Sequence, residues 1–217
     1  MKLLIINSSP RTFCSHTRRL TGIFASYCLM MDSKSEITYR DLGLEQVPHI
    51  SEQWISGAFK EPEARSVDEV NALALSDVYI KELREADVIV VGVPMYNFSI
   101  PSSLKAYLDQ VIRINETWIL DRGNTRNPYI GLLREKKLIL IQSRGAVAYD
   151  KGGYYHHLDF QSTYLKAIFS MIGIKDTQEV TVNGEITDRN ELARSSECAM
   201  DQIRAIVESL EISCVLC

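Results

Sequence analysis

Four hydroxyl side chains near the start of the chain have the types and spacing of an anion-binding site. Ser8 and Ser9 follow an apolar run at residues 2–6, and Ser15 and Thr17 open a segment with the apolar spacing of a helix. Hydroxyl groups beside a helix N-terminus favour a negatively charged group such as phosphate, because the first N–H groups of a helix lack an intrahelical partner. Simple capping of the helix explains any one of these hydroxyls equally well.

Two other classes of protein use a loop at this position, and this sequence lacks the residues that each of them requires. A low-molecular-weight phosphatase needs an arginine six positions after its cysteine, whereas Cys14 is followed at that distance by Leu20. A response-regulator receiver needs acidic residues where residues 7–8 read Asn-Ser and residues 94–95 read Pro-Met. His16 could donate a hydrogen bond to a phosphate or could be a solvated loop residue.

A second candidate site follows a buried strand in the middle of the chain. Residues 87–93 form a continuous, β-branched apolar run, typical of a strand covered on both faces in a parallel sheet. Residues 95–98 read Met-Tyr-Asn-Phe, and Pro101 then suits the first position of a helix. This loop offers a flat apolar shelf and free N–H groups at the carboxyl end of a strand, where open parallel sheets bind ligands.

A third loop, Ser143 to Ala146, ends the apolar strand at residues 137–142. Its small residues allow a planar ring to approach the backbone closely. A phosphate site on one side and space for a ring on the other describe a mononucleotide, and flavin mononucleotide (FMN) fits well. The chain contains neither the glycine-rich dinucleotide fingerprint nor the P-loop pattern.

The elements that must position these loops alternate between strand and helix about five times. This alternation predicts an α/β fold with a parallel sheet covered by helices on both faces. The most apolar strands, which start at residues 2, 87 and 137, should be central, and the strand at residues 36–42 should lie at an edge. The last strand is predicted at residues 179–182, and Ser66 with Glu69 has the pattern of a capping box that starts a helix. That arrangement matches the doubly wound order 2-1-3-4-5. We expect one domain at residues 1–210 and a C-terminal tail at residues 211–217.

Composition argues against several classes of partner. The net charge of −4 gives no electrostatic reason to expect nucleic acid, and no apolar run is long enough to span a membrane. Five scattered cysteines fit a reducing cytoplasm better than a disulfide framework.

The adjacent His156 and His157 point apart on a regular backbone, so we expect no metal site. The C-x-x-C at residues 214–217 also has the form of a prenylation signal, but an exposed tail explains it better.

The sequence as a whole resembles the FMN-dependent NADH azoreductases, also called FMN-dependent NADH:quinone oxidoreductases, which have the flavodoxin-like form of this fold. The residues that carry the resemblance are Pro94-Met95-Tyr96-Asn97-Phe98, Pro101, Leu104-Lys105, Asp109 and Ser143-Arg144-Gly145. Weaker similarity extends through residues 8–9, 15, 39–42, 73–77 and 173–174, and thus covers nearly the whole chain.

The resemblance implies where FMN would bind. The phosphate is expected at Ser9, Ser15, His16 and Thr17, and one edge of the ring at Ser143, Arg144, Gly145 and Ala146. The isoalloxazine is expected along Met95, Tyr96, Asn97 and Phe98, with a backbone N–H near Asn97 facing flavin N5. It further implies a homodimer with its active site at the subunit interface.

The implied activity is hydride transfer from NADH through FMN to quinones and aromatic azo compounds by a ping-pong mechanism, without a catalytic acid or base from the protein. The alternative is a flavodoxin-like FMN electron carrier that does not oxidise pyridine nucleotides. The long irregular stretches at residues 46–65 and 115–134 favour the enzyme, because they suit the walls of a substrate pocket.

Some residues depart from the family pattern. Ala146 stands where a second glycine is common, and its methyl group could press on the ring. Trp118 replaces a common phenylalanine and Lys60 an expected arginine; both are assigned to the substrate pocket together with Tyr149.

Overall fold

The computed structural model describes residues 1–215 and, for residues 1–210, their side chains. The strands and helices follow the chain in this order: β1 (Lys2–Asn7), α1 (His16–Met31), β2 (Glu36–Asp41), α2 (Glu52–Ala58), α3 (Val67–Glu85), β3 (Val88–Pro94), α4 (Ser102–Val111), β4 (Trp118–Leu120), β5 (Tyr129–Gly131), β6 (Lys137–Ser143), α5 (Phe160–Met171), β7 (Asp176–Val182) and α6 (Arg189–Val215).

The main sheet confirms the predicted topology. Its five strands are parallel and lie in the order β2-β1-β3-β6-β7, while β4 and β5 form a separate antiparallel hairpin. With the hairpin set aside, this order is the doubly wound 2-1-3-4-5. The three strands with the most continuous apolar runs, β1, β3 and β6, occupy the centre, and the half-exposed β2 lies at an edge.

Each central strand contributes side chains to two cores, because alternate residues of a strand point to opposite faces of the sheet. In β1, Leu4 and Ile6 belong to one core, and Leu3 and Ile5 belong to the other. Helices α3, α4 and α5 cover the first face, and α1 and α6 cover the second. The largest buried residues that these helices supply are Phe24, Tyr79, Tyr107 and Phe169.

The starts of two helices agree with the sequence predictions, and a third differs by one residue. Ser15 caps α1, and Ser66 with Glu69 forms a complete capping box at α3. Pro101 lies just before α4 rather than inside it, at the N-cap position. Its fixed φ still directs the chain into the helix.

Some predicted boundaries were wrong. Residues 115–134 were expected to be irregular but contain the β4–β5 hairpin, whose three-residue strands are too short to give a clear alternation. Strand β7 begins at Asp176, three residues before the predicted start, because its polar residues still pair with the backbone of β6. The backbone of α6 continues to Val215. The side chains of the predicted tail at 211–217, including its C-x-x-C, lie outside the described residues.

Within residues 1–215, no helix combines the length and the apolar content that crossing a bilayer requires. Among the side chains that the structure describes, those of residues 1–210, no three His, Cys, Asp or Glu are grouped closely enough to hold a metal ion.

Candidate functional site

The loops that follow β1, β3 and β6 meet at one edge of the sheet. The register pairs Pro94 with Ser143 and Asn7 with Gly92, so the second and third loops begin at the same level and the first begins two residues earlier. Between them lies a cleft of about 210 Å³. The predicted cofactor residues that line it are Ser9, Ser15, His16, Met95, Tyr96, Ser143 and Gly145.

The hydroxyl-rich loop lies against the N-terminus of α1. The Ser15 Oγ accepts a hydrogen bond from the Arg18 N–H at 3.4 Å and lies 3.3 Å from the Thr17 Oγ1. The buried Ser9 Oγ accepts from the Arg11 N–H at 3.3 Å. The Ser8 hydroxyl instead donates to the Gly92 carbonyl at 2.8 Å, inside the sheet edge. Ser8 is therefore structural, and Ser9 and Ser15 line the cleft, whereas Thr17 is buried and does not line it.

Arg18 fixes the shape of this loop. Its guanidinium donates to the Ser9 carbonyl at 2.6 Å and 3.0 Å and forms a bidentate pair with the Asp41 carboxylate. Burial alone would raise the pKa of Asp41, but the Arg18 guanidinium and the Gly43 and Leu44 N–H groups outweigh it and keep that pKa below its ordinary value. A Cβ on Gly43 would lie 2.0 Å from the Ser9 oxygen, so only glycine fits there.

His16 opens α1 and lines the cleft, and one of its ring nitrogens is unpaired. Its Nδ1 is buried, and no hydrogen-bond partner for it occurs among the residues described. A buried polar nitrogen without a partner costs free energy, typically about 1–3 kcal/mol. The free N–H groups of the helix N-terminus lie in the same place. An anion at this helix N-terminus would accept hydrogen bonds from those free N–H groups, so the loop fits a phosphate group.

The aromatic loop after β3 forms a tight two-residue turn. Tyr96 and Ser99 exchange backbone hydrogen bonds at 2.9 Å and 3.0 Å, and the residues between them, Asn97 and Phe98, both have positive φ, +49° and +67°. These angles define a type I′ turn, in which Phe98 is strained. In the described part of the chain, the Asn97 and Phe98 N–H groups have no acceptor. The turn therefore presents two free donors beside two half-exposed aromatic rings.

The third loop is tied to the second. The Ser143 carbonyl accepts from the Met95 N–H at 2.8 Å, which joins the two loops at the floor of the cleft. Gly145 lines the cleft, whereas Ala146 does not. The concern that the Ala146 methyl group presses on a ring therefore finds no support in the cleft lining.

The side chain of Arg144 points away from the cleft. Its guanidinium is 2% exposed and donates to Asp159 at 3.0 Å, Ser162 at 2.7 Å and Gln142 at 3.2 Å. The neighbouring Gln161 amide donates to the Val93 carbonyl at 2.9 Å. Arg144 is therefore not part of the cleft lining, and its side chain anchors the third loop to the start of α5.

The three residues assigned to the substrate pocket are not brought together within this chain. Lys60 pairs with Glu69 at 2.6 Å near the start of α3. Trp118 lies in the hairpin beyond the C-terminal end of α4, with its ring 5.4 Å from that of Tyr129. Tyr149 is buried against Arg144 and lines a separate polar cavity of about 610 Å³. None of the three lines the cleft.

Five further residues line the cleft that were not assigned to the cofactor site from the sequence: Arg11, Cys14, Pro94, Glu185 and Ile186. Glu185 and Ile186 lie in the loop between β7 and α6. The rule that ligands bind beyond the carboxyl ends of parallel strands could have found them, had it been applied to the fifth strand as well.

Several known proteins are similar to this chain over most of its length. A family model described as a flavodoxin-like fold matches residues 1–205. An FMN-dependent NADH:quinone oxidoreductase from Nostoc punctiforme is 42% identical over 191 residues, which cover 84% of this chain and 87% of that protein. One from Trichormus variabilis is 37% identical over 214 residues, which cover 98% and 99%. The solved structure of an FMN-dependent NADH-azoreductase from Bacillus anthracis in complex with FMN superposes with a TM-score of 0.82 at 25% identity, covering 96% and 98%.

The sheet order and the cleft at its carboxyl edge define a flavodoxin-like protein. The chain belongs to the family of the FMN-dependent NADH:quinone oxidoreductases.

Proposed function

We propose that this protein is an FMN-dependent oxidoreductase that passes two electrons, as a hydride, from NADH to quinones and aromatic azo compounds. One observation carries the proposal: an unsatisfied helix N-terminus and an exposed aromatic shelf border the same cleft. The names of the relatives support the same activity. FMN supplies the redox chemistry when it is bound.

The phosphate group of FMN would be held by Ser9, Ser15, His16 and Thr17. These residues offer hydroxyls and the free N–H groups of a helix N-terminus, which together suit a dianion. The ring would lie along the turn at residues 95–98, with Ser143 and Gly145 at its other edge.

The turn has two tasks in this proposal. The free N–H groups of Asn97 and Phe98 are fixed by the turn before any ligand arrives, so they can stabilise negative charge without reorganisation. The rings of Tyr96 and Phe98, 36% and 43% exposed, form an apolar wall that orients flat substrates. The cleft lining includes no carboxylate except Glu185, which is paired with Arg11, so protons are left to solvent or to the substrate.

A homodimer with its active site at the interface is also part of the proposal. Phe160 lies beside Phe98 on the surface and is 54% exposed, and a second subunit packed next to the aromatic shelf would cover Phe160. Trp118 lies in the β4–β5 hairpin and is not part of the cleft lining of its own chain, so in this proposal it serves the substrate across such an interface. The cytoplasmic location expected from the scattered cysteines remains a prediction.

The competing function is that of an electron carrier. A carrier shields its flavin, whereas here the aromatic shelf is open, which favours a site that admits a second planar molecule. One shared pocket for NADH and quinone implies ping-pong kinetics.

Steady-state kinetics test this proposal. Protein loaded with FMN should oxidise NADH when a quinone is added, and double-reciprocal plots at several quinone concentrations should be parallel. Free FMN at the same concentration is the control. A rate no higher than that control would reject the enzyme, and intersecting lines would reject the shared pocket.

A further inference from the structure

The loop at residues 183–188, between β7 and α6, closes one side of the cleft. The Ile186 and Thr187 N–H groups donate to the Gly145 carbonyl at 2.9 Å and 3.2 Å. The Glu185 carboxylate accepts from the Arg11 guanidinium at 2.7 Å, which joins this loop to the hydroxyl-rich loop. The first and last loops of the sheet edge are thereby tied together across the cleft.

We propose that Ile186 is a flavin contact and that the Arg11–Glu185 pair is a clasp that slows release of the flavin. The inference rests on the proposed function, because it assumes that the cleft holds FMN. The two residues of this clasp are 174 positions apart in the chain.

The position of Ile186 supports a direct contact. Its side chain is 84% exposed, and yet it is held in place at the cleft by the hydrogen bonds to Gly145. A Cβ on Gly145 would lie 2.8 Å from the Ile186 Cδ1, so the isoleucine occupies the space that a side chain at position 145 would need. A planar ring beside Gly145 would cover this apolar group and remove it from water, which favours binding.

The ion pair has a geometric role. Arg11 and Glu185 are 52% and 29% exposed, and an exposed pair contributes little to stability. The backbone of Arg11 also donates to the Ser9 hydroxyl, so the pair links the phosphate side of the cleft to the loop that carries Ile186. Opening the cleft for a flavin to leave requires that this link break.

A purely electrostatic view predicts the opposite effect for one substitution. Glu185 is a negative charge near the site proposed for a phosphate dianion, so Glu185→Gln should tighten FMN binding if charge alone mattered. The clasp predicts that Glu185→Gln loosens binding. The sign of the change separates the two explanations.

The experiment measures release of FMN and of riboflavin, which lacks the phosphate, by the recovery of flavin fluorescence after dilution. We expect Glu185→Gln to release both flavins about twofold to fivefold faster, the range that an exposed ion pair allows. Ile186→Ala should release both about fivefold faster or more. Because the pair acts as a unit, the double variant of Arg11→Gln and Glu185→Gln should release riboflavin no faster than the faster single variant.

Two variants serve as matched controls. Glu191→Gln removes another exposed ion pair, with Arg194, at the start of α6. Phe13→Ala removes an apolar side chain that is 85% exposed in the hydroxyl-rich loop but outside the cleft lining. Both should release the flavins at the wild-type rate, and circular dichroism should show that every variant is folded.

Wild-type release rates in Glu185→Gln and Ile186→Ala, or slower release in Glu185→Gln, would overturn the inference and leave the proposed function intact. A wild-type protein that binds neither flavin would overturn both.

Discussion

The backbone N–H of Phe160 donates a hydrogen bond to the carbonyl oxygen of Phe98 at 3.1 Å. The first residue of α5 thus holds the strained turn that presents the aromatic shelf. One residue earlier, the N-cap Asp159 pairs with Arg144, which anchors the loop at the other side of the cleft. The start of α5 therefore sets the distance between the shelf and the opposite edge of the cleft, before any ligand binds.

Replacing Phe98 should separate the strain in this turn from its function. Phe98→Gly and Phe98→Ala both remove the ring, but only glycine adopts positive φ without strain. We expect the glycine variant to be more stable to unfolding than the alanine variant by about 0.5–1 kcal/mol. Both should bind quinones more weakly than the wild type. Urea unfolding and the KM for quinone are the measurements, and equal stability of the two variants would argue against the strain.

Removing the guanidinium of Arg144 should destabilise the protein strongly. Arg144→Gln leaves the Asp159 carboxylate, 9% exposed, without its cationic partner. Loss of one member of a buried pair typically costs about 3–5 kcal/mol. The exposed Arg194→Gln is the control and should change the free energy of unfolding by less than about 0.5 kcal/mol. A loss of similar size in both variants would show that the buried network has no special role.

Ser15 should matter to FMN more than to riboflavin. Ser15→Ala removes a helix cap and one proposed phosphate ligand, so FMN affinity should fall about tenfold or more while riboflavin affinity changes little. Ser51→Ala removes a comparable cap, at α2, and should leave both affinities unchanged. Calorimetric titration of the flavin-free protein measures all four affinities. Equal losses for the two flavins in Ser15→Ala would place the phosphate elsewhere.

Glu69 should make stability depend on pH in the acid range. Hydrogen bonds from Lys60, Ser56 and the Ser66 N–H lower the pKa of Glu69 from 4.5 to about 2. Because the folded pKa is the lower one, this stabilisation is complete above about pH 4.5 and is lost as the pH falls towards 2. Over that range the wild type should lose stability more steeply than Glu69→Gln. Parallel curves of unfolding free energy against pH would contradict the assignment.

Strong local patterns made most of the fold predictable. Continuous apolar runs identified β1, β3 and β6, and their parallel pairing determined which loops meet. The hairpin was not predicted because strands of three residues, such as Trp118–Leu120, are too short to show an alternation of apolar and polar residues. The first three residues of edge strand β7 were not predicted as strand because they are polar. They are extended because their backbone pairs with β6.

The residues of the candidate site were predictable where their role depends only on the sequence of their own loop. The hydroxyls beside α1 and the aromatic turn after β3 are of this kind. The direction of the Arg144 side chain was not, because it depends on Asp159 and Ser162 of a helix that begins sixteen residues later. Glu185 and Ile186 were not predicted for a related reason, because their positions at the cleft involve contacts with the distant Arg11 and Gly145.

The central claim is that the cleft holds FMN and that NADH reduces it. The most direct test is to load the purified protein with FMN, remove oxygen, add NADH and follow the visible spectrum. The proposed function predicts that the flavin absorbance bleaches directly to the two-electron reduced form and returns when a quinone is added. A bound flavin that does not respond to NADH would contradict the reductase and favour the electron carrier, and a protein that binds no FMN would refute the site itself.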